Sequence, residues 1–418
     1  MQVWGWGRAH PSSCTRMQPE EKKAVSEREK TRLVHASRAK MTGEVGTVNP
    51  ALVRCSTVLY RDMGTRKAVR ARREKGLREF AYGASGTPTT FALEDAINEI
   101  EGGERTVLLP SGLAAIAHVF QSVLQPGDHL LLADTIYGPA RAIAVNYLAK
   151  RGIACEFYRG GTDLAGLLKP NTRMVYLDNP GSIVFDVQDV PRLAESLARR
   201  ETLLAVDNTW GCPGLYRPLA LGADISIVAL TKYVAGHSDL VMGAVSAGRR
   251  CADQLWRHAN LLGQTVSPDD AYSTLKGLRT AAARIAMHQA HAQEVIAWLQ
   301  RQPAVDRILY PALAGDPGHA LWRRDFSGAN GLFSVAFKPH VAQANADRFV
   351  DSLRLFGIGA SWGGYESLAL TYPSVHGWDG GALVRLHIGL EDPADLIVDL
   401  ARGFAALEPL GRGRPCGA

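Results

Sequence analysis

From Thr106 to Ser246 the chain alternates short apolar, β-branched runs with longer amphipathic ones, and few architectures accept that pattern. The spacing predicts strands at Thr106–Leu109, His129–Ala133, Ala154–Tyr158, Arg173–Leu177, Thr202–Val206 and Ile225–Leu230. Helices are expected between them at Leu113–Leu124, Pro139–Lys150 and Val190–Arg199. Strands separated by helices pair in parallel, because the crossover returns each strand in the same direction. The expected class is therefore α/β, a mostly parallel sheet with helices on both faces. After Val241–Ser246 the text changes. Helical stretches are read at Cys251–Leu262, Asp269–Leu278 and Ala281–Gln300, and strands near Arg307–Tyr310, Leu332–Phe337 and Leu383–Ile388. Helices Ala342–Leu353 and Ala394–Leu407 complete a pattern without regular parallel crossovers, which suggests a smaller α+β C-terminal domain.

A chain of 418 residues exceeds what one core usually serves, so this division is expected on size as well. We place a large domain at 91–275 and the small one at 276–418. Residues 1–30 are polar and unpatterned, and read as disordered or as an extension upstream of the true start, with Met17 and Met41 as alternative starts. No apolar run approaches the roughly 20 residues needed to cross a bilayer, and no secretory signal is legible. Six scattered cysteines without a C-x-x-C pair fit free thiols and argue against a zinc site, so a cytoplasmic protein without metal is expected. The net charge of +6 is concentrated in Arg61–Arg78, yet no nucleic-acid motif accompanies it; a solvated basic segment is the reading, with neither nucleic acid nor membrane as partner.

In an open parallel sheet, ligands sit at the carboxyl ends of the strands. The first predicted strand ends in Ser111-Gly112, opening a helix whose unpaired N–H groups form an anion site. The second ends near Tyr137, an aromatic able to stack on a planar ligand. Others end in Asp178-Asn179-Pro180-Gly181 and in Asp207-Asn208-Thr209-Trp210. The last ends in Thr231-Lys232, and a lysine there either snorkels to water or becomes a desolvated, usable amine. Each feature has a plain explanation alone: a turn at Gly112, a core ring at Tyr137, a cap at Asp207. Together they match the needs of pyridoxal 5'-phosphate, namely an amine for its aldehyde, a carboxylate for its ring nitrogen, a phosphate cradle and an aromatic for its face. A dinucleotide site would want G-x-G-x-x-G, which Leu109-Pro-Ser-Gly-Leu-Ala114 does not supply.

From about Arg32 to Leu407 the sequence resembles the Cys/Met-metabolism family of pyridoxal-phosphate enzymes. The resemblance rests on Tyr82-Gly-x-x-Gly-Thr-Pro-Thr89, Ile100-Glu-Gly-Gly103, Ser111-Gly-Leu-Ala-Ala115 and Val206-Asp-Asn-Thr-Trp210. It also rests on Thr231-Lys-Tyr-x-x-Gly-His-Ser-Asp239, Ser361-Trp-Gly-Gly-Tyr-Glu-Ser367 and Val384-Arg-Leu-His-Ile-Gly-Leu-Glu-Asp392. Trp210, Ser361-Trp362 and Arg385-Leu-His387 look most like the bacterial cystathionine β-lyase branch. The resemblance implies a fold-type I, transferase-like architecture and β-elimination of L-cystathionine to homocysteine, pyruvate and ammonia. The γ-lyase and γ-synthase chemistries of the same family are the alternative.

The resemblance also implies roles. Lys232 is the covalent anchor of the cofactor and moves the Cα proton; Asp207 pairs with the ring nitrogen and Tyr137 stacks on the ring. Gly112, Leu113 and Thr231 cradle the phosphate. Arg385 clamps the substrate carboxylate, helped by Ser361 and Trp362. Residues 31–90 form an arm toward a neighbouring subunit, from which Tyr82 reaches the site, in a homo-oligomer of at least two and by resemblance four chains. One departure stands out: where the family often carries a phosphate-binding arginine, this chain has Ala84. The basic residues Arg72, Arg73, Lys75 and Arg78 just upstream are the expected replacements.

Overall fold

The computed structural model of the chain describes residues 28–38 and 44–407. The expectation for residues 1–30 therefore lies almost wholly outside the described residues. Seven strands form the large sheet: β1 (Arg105–Leu109), β2 (His129–Ala133), β3 (Ala154–Tyr158), β4 (Thr172–Asp178), β5 (Leu203–Asp207), β6 (Ile225–Ala229) and β7 (Gly243–Ala247). They lie in the order β1-β7-β6-β5-β4-β2-β3. The run from β3 through β2, β4 and β5 to β6 is parallel, while β7 is antiparallel to both β1 and β6. Central strands such as β4 are buried along nearly their whole length, which is why they read as unbroken apolar runs rather than as an alternation.

The second sheet has five strands: β8 (Val305–Leu309), β9 (Leu332–Phe337), β10 (Gly357–Ile358), β11 (Leu368–Tyr372) and β12 (Leu383–His387), in the order β10-β11-β12-β9-β8. It is mostly antiparallel, and only β10 with β11 runs parallel. β10 and β11 are absent from the sequence reading. β10 is two residues long, and β11 (Leu-Ala-Leu-Thr-Tyr) follows a glycine-rich loop that hides its start.

One element corrects the sequence reading outright. The helices expected at Asp269–Leu278 and Ala281–Gln300 are a single helix of 32 residues, Pro268–Leu299. Arg279 and Thr280 look like a break only because both are polar, but polar residues on the outer face do not interrupt a helix. The apolar stripe runs straight through them, from Leu275 and Leu278 to Ala281 and Ile285. The helix packs against the helix Pro88–Glu101 beside the large sheet and against the closing helix Pro393–Leu407 beside the small one. It thus carries both residue 275 and residue 276.

The basic segment is also a helix, Met63–Glu74, capped by the Asp62 carboxylate on the Thr65 amide. Much of its charge is paired: Arg70 with Glu74, Arg72 with Glu79, and nearby Arg78 with Glu94 and Asp95. Among the described residues no helix is long and apolar enough to cross a membrane.

Candidate active site

β6 stops at Ala229 and the chain turns at once. The Lys232 amide donates to the Ala229 carbonyl at 3.1 Å, and the Gly236 amide donates back to the Lys232 carbonyl at 2.8 Å. Gly236 takes a φ of 72° to close that turn, and a Cβ there would collide with the Arg284 guanidinium. Tyr233 and Val234 are buried on the far side, so the turn cannot rotate and Lys232 is left facing a cavity of about 420 Å³.

The walls of that cavity come from both sheets. Gly112 and Leu113 sit at the start of the helix Gly112–Val123, whose cap is the Ser111 hydroxyl accepting from the Ala114 amide at 2.9 Å. A Cβ on Gly112 would stand 2.6 Å from that of Ala229, so only glycine lets the helix begin this close to β6. Thr231 closes the same end, its hydroxyl donating to the Met242 carbonyl and accepting from the Met242 amide. Together these place free helix N–H groups around one pole of the cavity, where a dianion is favoured.

Asp207 ends β5 on the cavity floor, one oxygen accepting the Thr209 amide at 2.9 Å. Burial raises its pKa, with the Thr209 hydrogen bonds and the Lys232 charge pulling the other way. Tyr137 lines the cavity and is 45% exposed, its amide held by Asp178 Oδ2 at 2.8 Å. From the second sheet β12 contributes Arg385, buried, whose guanidinium donates to the Ser361 carbonyl at 3.0 Å. Ser361 has a φ of 79°, a strained value for a residue with a side chain, and its hydroxyl accepts from Lys232 Nζ at 2.5 Å. Trp362 follows, with Lys232 Nζ 5.4 Å from its ring centre. The Lys232 pKa falls to about 8, first through burial and then through the Arg385 charge, with Asp207 opposing.

Nine of the ten site residues expected from sequence thus line one cavity. The tenth, Tyr82, does not line it in this chain and is half exposed. Of the four cations proposed to replace an arginine at Ala84, Arg72 and Arg78 are engaged with carboxylates. Arg73 instead donates to the hydroxyl of Ser85, next to Ala84, at 2.7 Å. Sequence reasoning missed Tyr372, Ile183 and Phe185, which also line the cavity. Tyr372 lies on the unread strand β11. Ile183 and Phe185 both take positive φ values, which no local composition signals.

Residues 30–405 match the family described as Cys/Met metabolism PLP-dependent enzyme. The chain belongs to that family. It is 45% identical to a cystathionine beta-lyase of Bordetella avium over 386 residues, 90% of this chain and 96% of that protein. It is 39% identical to the cystathionine beta-lyase of Escherichia coli K12 over 390 residues, covering 90% and 98%. A crystal structure of cystathionine gamma synthase from Xanthomonas oryzae pv. oryzae superposes with a TM-score of 0.83 at 33% identity, covering 92% of this chain and 99% of that one.

The family's cofactor is pyridoxal phosphate, and the donor set fits it. The helix start at Gly112 offers N–H groups to a phosphate, and Asp207 offers an anion to a protonated ring nitrogen. Lys232 offers an amine whose pKa burial has lowered to about 8. Arg385 pairs with no carboxylate among the described residues, which leaves its charge to meet an incoming acid.

Proposed function

We propose that the chain is a carbon–sulfur lyase that performs β-elimination on L-cystathionine, yielding homocysteine, pyruvate and ammonia, as a step of methionine biosynthesis. The observation that carries this reading is Lys232: a half-buried amine, pKa about 8, held by Ser361 within a cavity that also contains Asp207 and Arg385. High identity to two cystathionine beta-lyases supports the β-eliminating branch.

Gly112, Leu113 and Thr231 would hold the phosphate, Asp207 would pair with the ring nitrogen and Tyr137 would stack on the ring, with Lys232 as the covalent anchor until the substrate amine displaces it. When bound, the cofactor supplies an electron sink for the carbanion left when Cα loses its proton. Arg385 fixes the substrate carboxylate with its planar fork. Lys232 Nζ, with a pKa close to neutrality, takes the Cα proton and holds it as an ammonium against Ser361 Oγ. Trp210, Trp362 and Tyr372 line the same cavity and would give the substrate's thioether an apolar wall.

The protein acts in the cytoplasm as a homo-oligomer, a dimer at minimum and a tetramer by likeness to its family. Residues 31–90 form the arm that brings Tyr82 to the neighbouring subunit's site, with large and small domains at 91–275 and 276–418. Arg73, already beside Ala84, is the cation we assign to the position left by the missing arginine.

Product analysis with cystathionine and added cofactor tests the reading: pyruvate is expected, whereas 2-oxobutyrate would select the γ-eliminating alternative. In Lys232→Ala the visible absorbance of the bound cofactor disappears and turnover falls by at least about 10⁴-fold. Pyruvate formation surviving in that variant would overturn the assignment.

A further inference from the structure

The cavity floor carries two carboxyl groups, and the proposed chemistry uses only one. Asp178 ends β4 and Asp207 ends β5, and the two are level partners in adjacent parallel strands. Level residues on neighbouring strands project from the same face with backbones about 5 Å apart. Two carboxylates that close, away from bulk water, do not both ionise readily, because each raises the cost of the other's charge.

The surroundings decide which of the two keeps the charge. Asp207 faces the cavity, accepts the Thr209 amide and lies within reach of the Lys232 charge. Asp178 is only 8% exposed. Its Oδ2 accepts the Tyr137 amide at 2.8 Å, while its Oδ1 and the nearby Tyr176 hydroxyl are both buried with no hydrogen-bond partner within bonding distance, although Asp178 borders the cavity. A buried carboxylate oxygen left without a donor is costly; the same oxygen carrying a proton becomes a donor itself. The other groups facing Asp178 add no positive charge: the Tyr176 hydroxyl on its own strand, and Asp186 from the following loop. Of the cavity's cations, Lys232 acts on Asp207 directly, while Arg385 acts on Lys232 and on Tyr137.

We propose that Asp178 is a positioning residue that carries a proton in the working enzyme, anchoring the Tyr137 backbone while leaving Asp207 as the sole anion presented to the cofactor ring. Burial first, and then the neighbouring Asp207, push the Asp178 pKa well up, outweighing the Tyr137 amide and the Tyr176 hydroxyl, which pull it down. The role follows from the geometry. Tyr137 is the N-terminal flank of the helix Gly138–Ile143 and makes no side-chain cap bond, so the bond to Asp178 ties the backbone of this cavity-lining residue to the end of β4. A charged Asp178 would keep that bond, but it would compete with Asp207 for the ring proton.

The inference rests on the cofactor-binding reading above, and its test separates the two. Infrared difference spectra of the cofactor-loaded wild type and Asp178→Asn are compared at neutral pH. The variant is expected to lose the C=O band of a protonated carboxylic acid; loss of a carboxylate band instead overturns the proposal. Cofactor binding, followed by visible absorbance, is expected to weaken about tenfold in Asp178→Ala, the size of one buried amide left unpaired. Asp178→Asn, which keeps an acceptor for the Tyr137 amide, recovers most of that loss. Equal weakening in both variants, or none in Asp178→Ala, overturns the positioning role. Should Asp178→Ala fail to fold, the infrared comparison still decides. A wild type that takes up no pyridoxal phosphate would overturn the functional reading itself, a result distinct from any of these.

Discussion

Lys232 works because three neighbours act on one nitrogen. Burial and Arg385 lower its pKa to about 8, Asp207 pulls it back, and Ser361 accepts its hydrogen bond at 2.5 Å. That last bond favours the charged amine, because a neutral amine is a weaker donor. Replacing Ser361 by Ala therefore lowers the Lys232 pKa further. The acid limb of the pH–rate profile, where the base form of Lys232 is generated as pH rises, moves to lower pH in Ser361→Ala. An acid limb that stays in place or moves upward would show that the hydroxyl does not act on Nζ. Lys232 stood out in the sequence as an oddly placed charge beside an apolar run. Its lowered pKa was not legible there, since two of its causes, Arg385 and Asp207, lie far from it along the chain.

At the scale of elements, the site depends on how closely the helix Gly112–Val123 starts against β6. Gly112 is legible in sequence as part of a turn after a strand; what makes it indispensable is Ala229, more than a hundred residues later. Gly112→Ala pushes the helix start away from β6 and weakens cofactor binding by about tenfold, as expected for a phosphate that loses one good backbone donor. Pairing it with Ala229→Gly removes the Cβ contact at 2.6 Å, leaves the residue 229 Cα as the nearest atom at 3.2 Å, and recovers most of the binding, measured by absorbance titration. If the double variant binds as poorly as the single one, the close approach is not the cause. β12 shows a different kind of coupling. Arg385 and His387 are two residues apart on one face, so the strand that aims the guanidinium into the cavity also puts an imidazole under the Ser361–Ser367 loop. His387 Nε2 accepts the Gly363 amide at 3.0 Å while Nδ1 meets the Glu366 carbonyl at 3.0 Å, a pairing that only the neutral ring can make. The sequence motif Arg-Leu-His marked the residues but not that they support a loop twenty residues upstream.

At the scale of the whole molecule, the 32-residue helix Pro268–Leu299 links the two sheets to the Lys232 turn. Arg284, buried at its middle, donates from one nitrogen to the carbonyls of Tyr233 at 2.9 Å and Gly277 at 2.7 Å. It pairs with no carboxylate among the described residues, and burial lowers its pKa to about 10, so it still carries its charge at neutral pH. Arg284→Ala leaves those carbonyls unsatisfied in the interior and is expected to cost roughly 3 kcal/mol or more of unfolding free energy. Urea unfolding measures this directly, and a change under about 1 kcal/mol would mean water replaces the guanidinium at no cost.

The strand–helix alternation, the change of pattern after Ser246 and the residues at the strand ends were legible in the sequence alone, because periodicity and punctuation are local properties of a chain. Those properties also put Gly112, Tyr137, Asp207 and Lys232 at one rim. Tertiary structure decided the rest. It merged two apparent helices into one, since a helix breaks only where its packing or backbone demands it. It added β11 with Tyr372, and it folded the strained Ser361 loop onto Lys232. It also set Asp178 level with Asp207, where each carboxyl alters the other's charge. Such effects arise from distances between residues remote in the chain, and no local pattern encodes them.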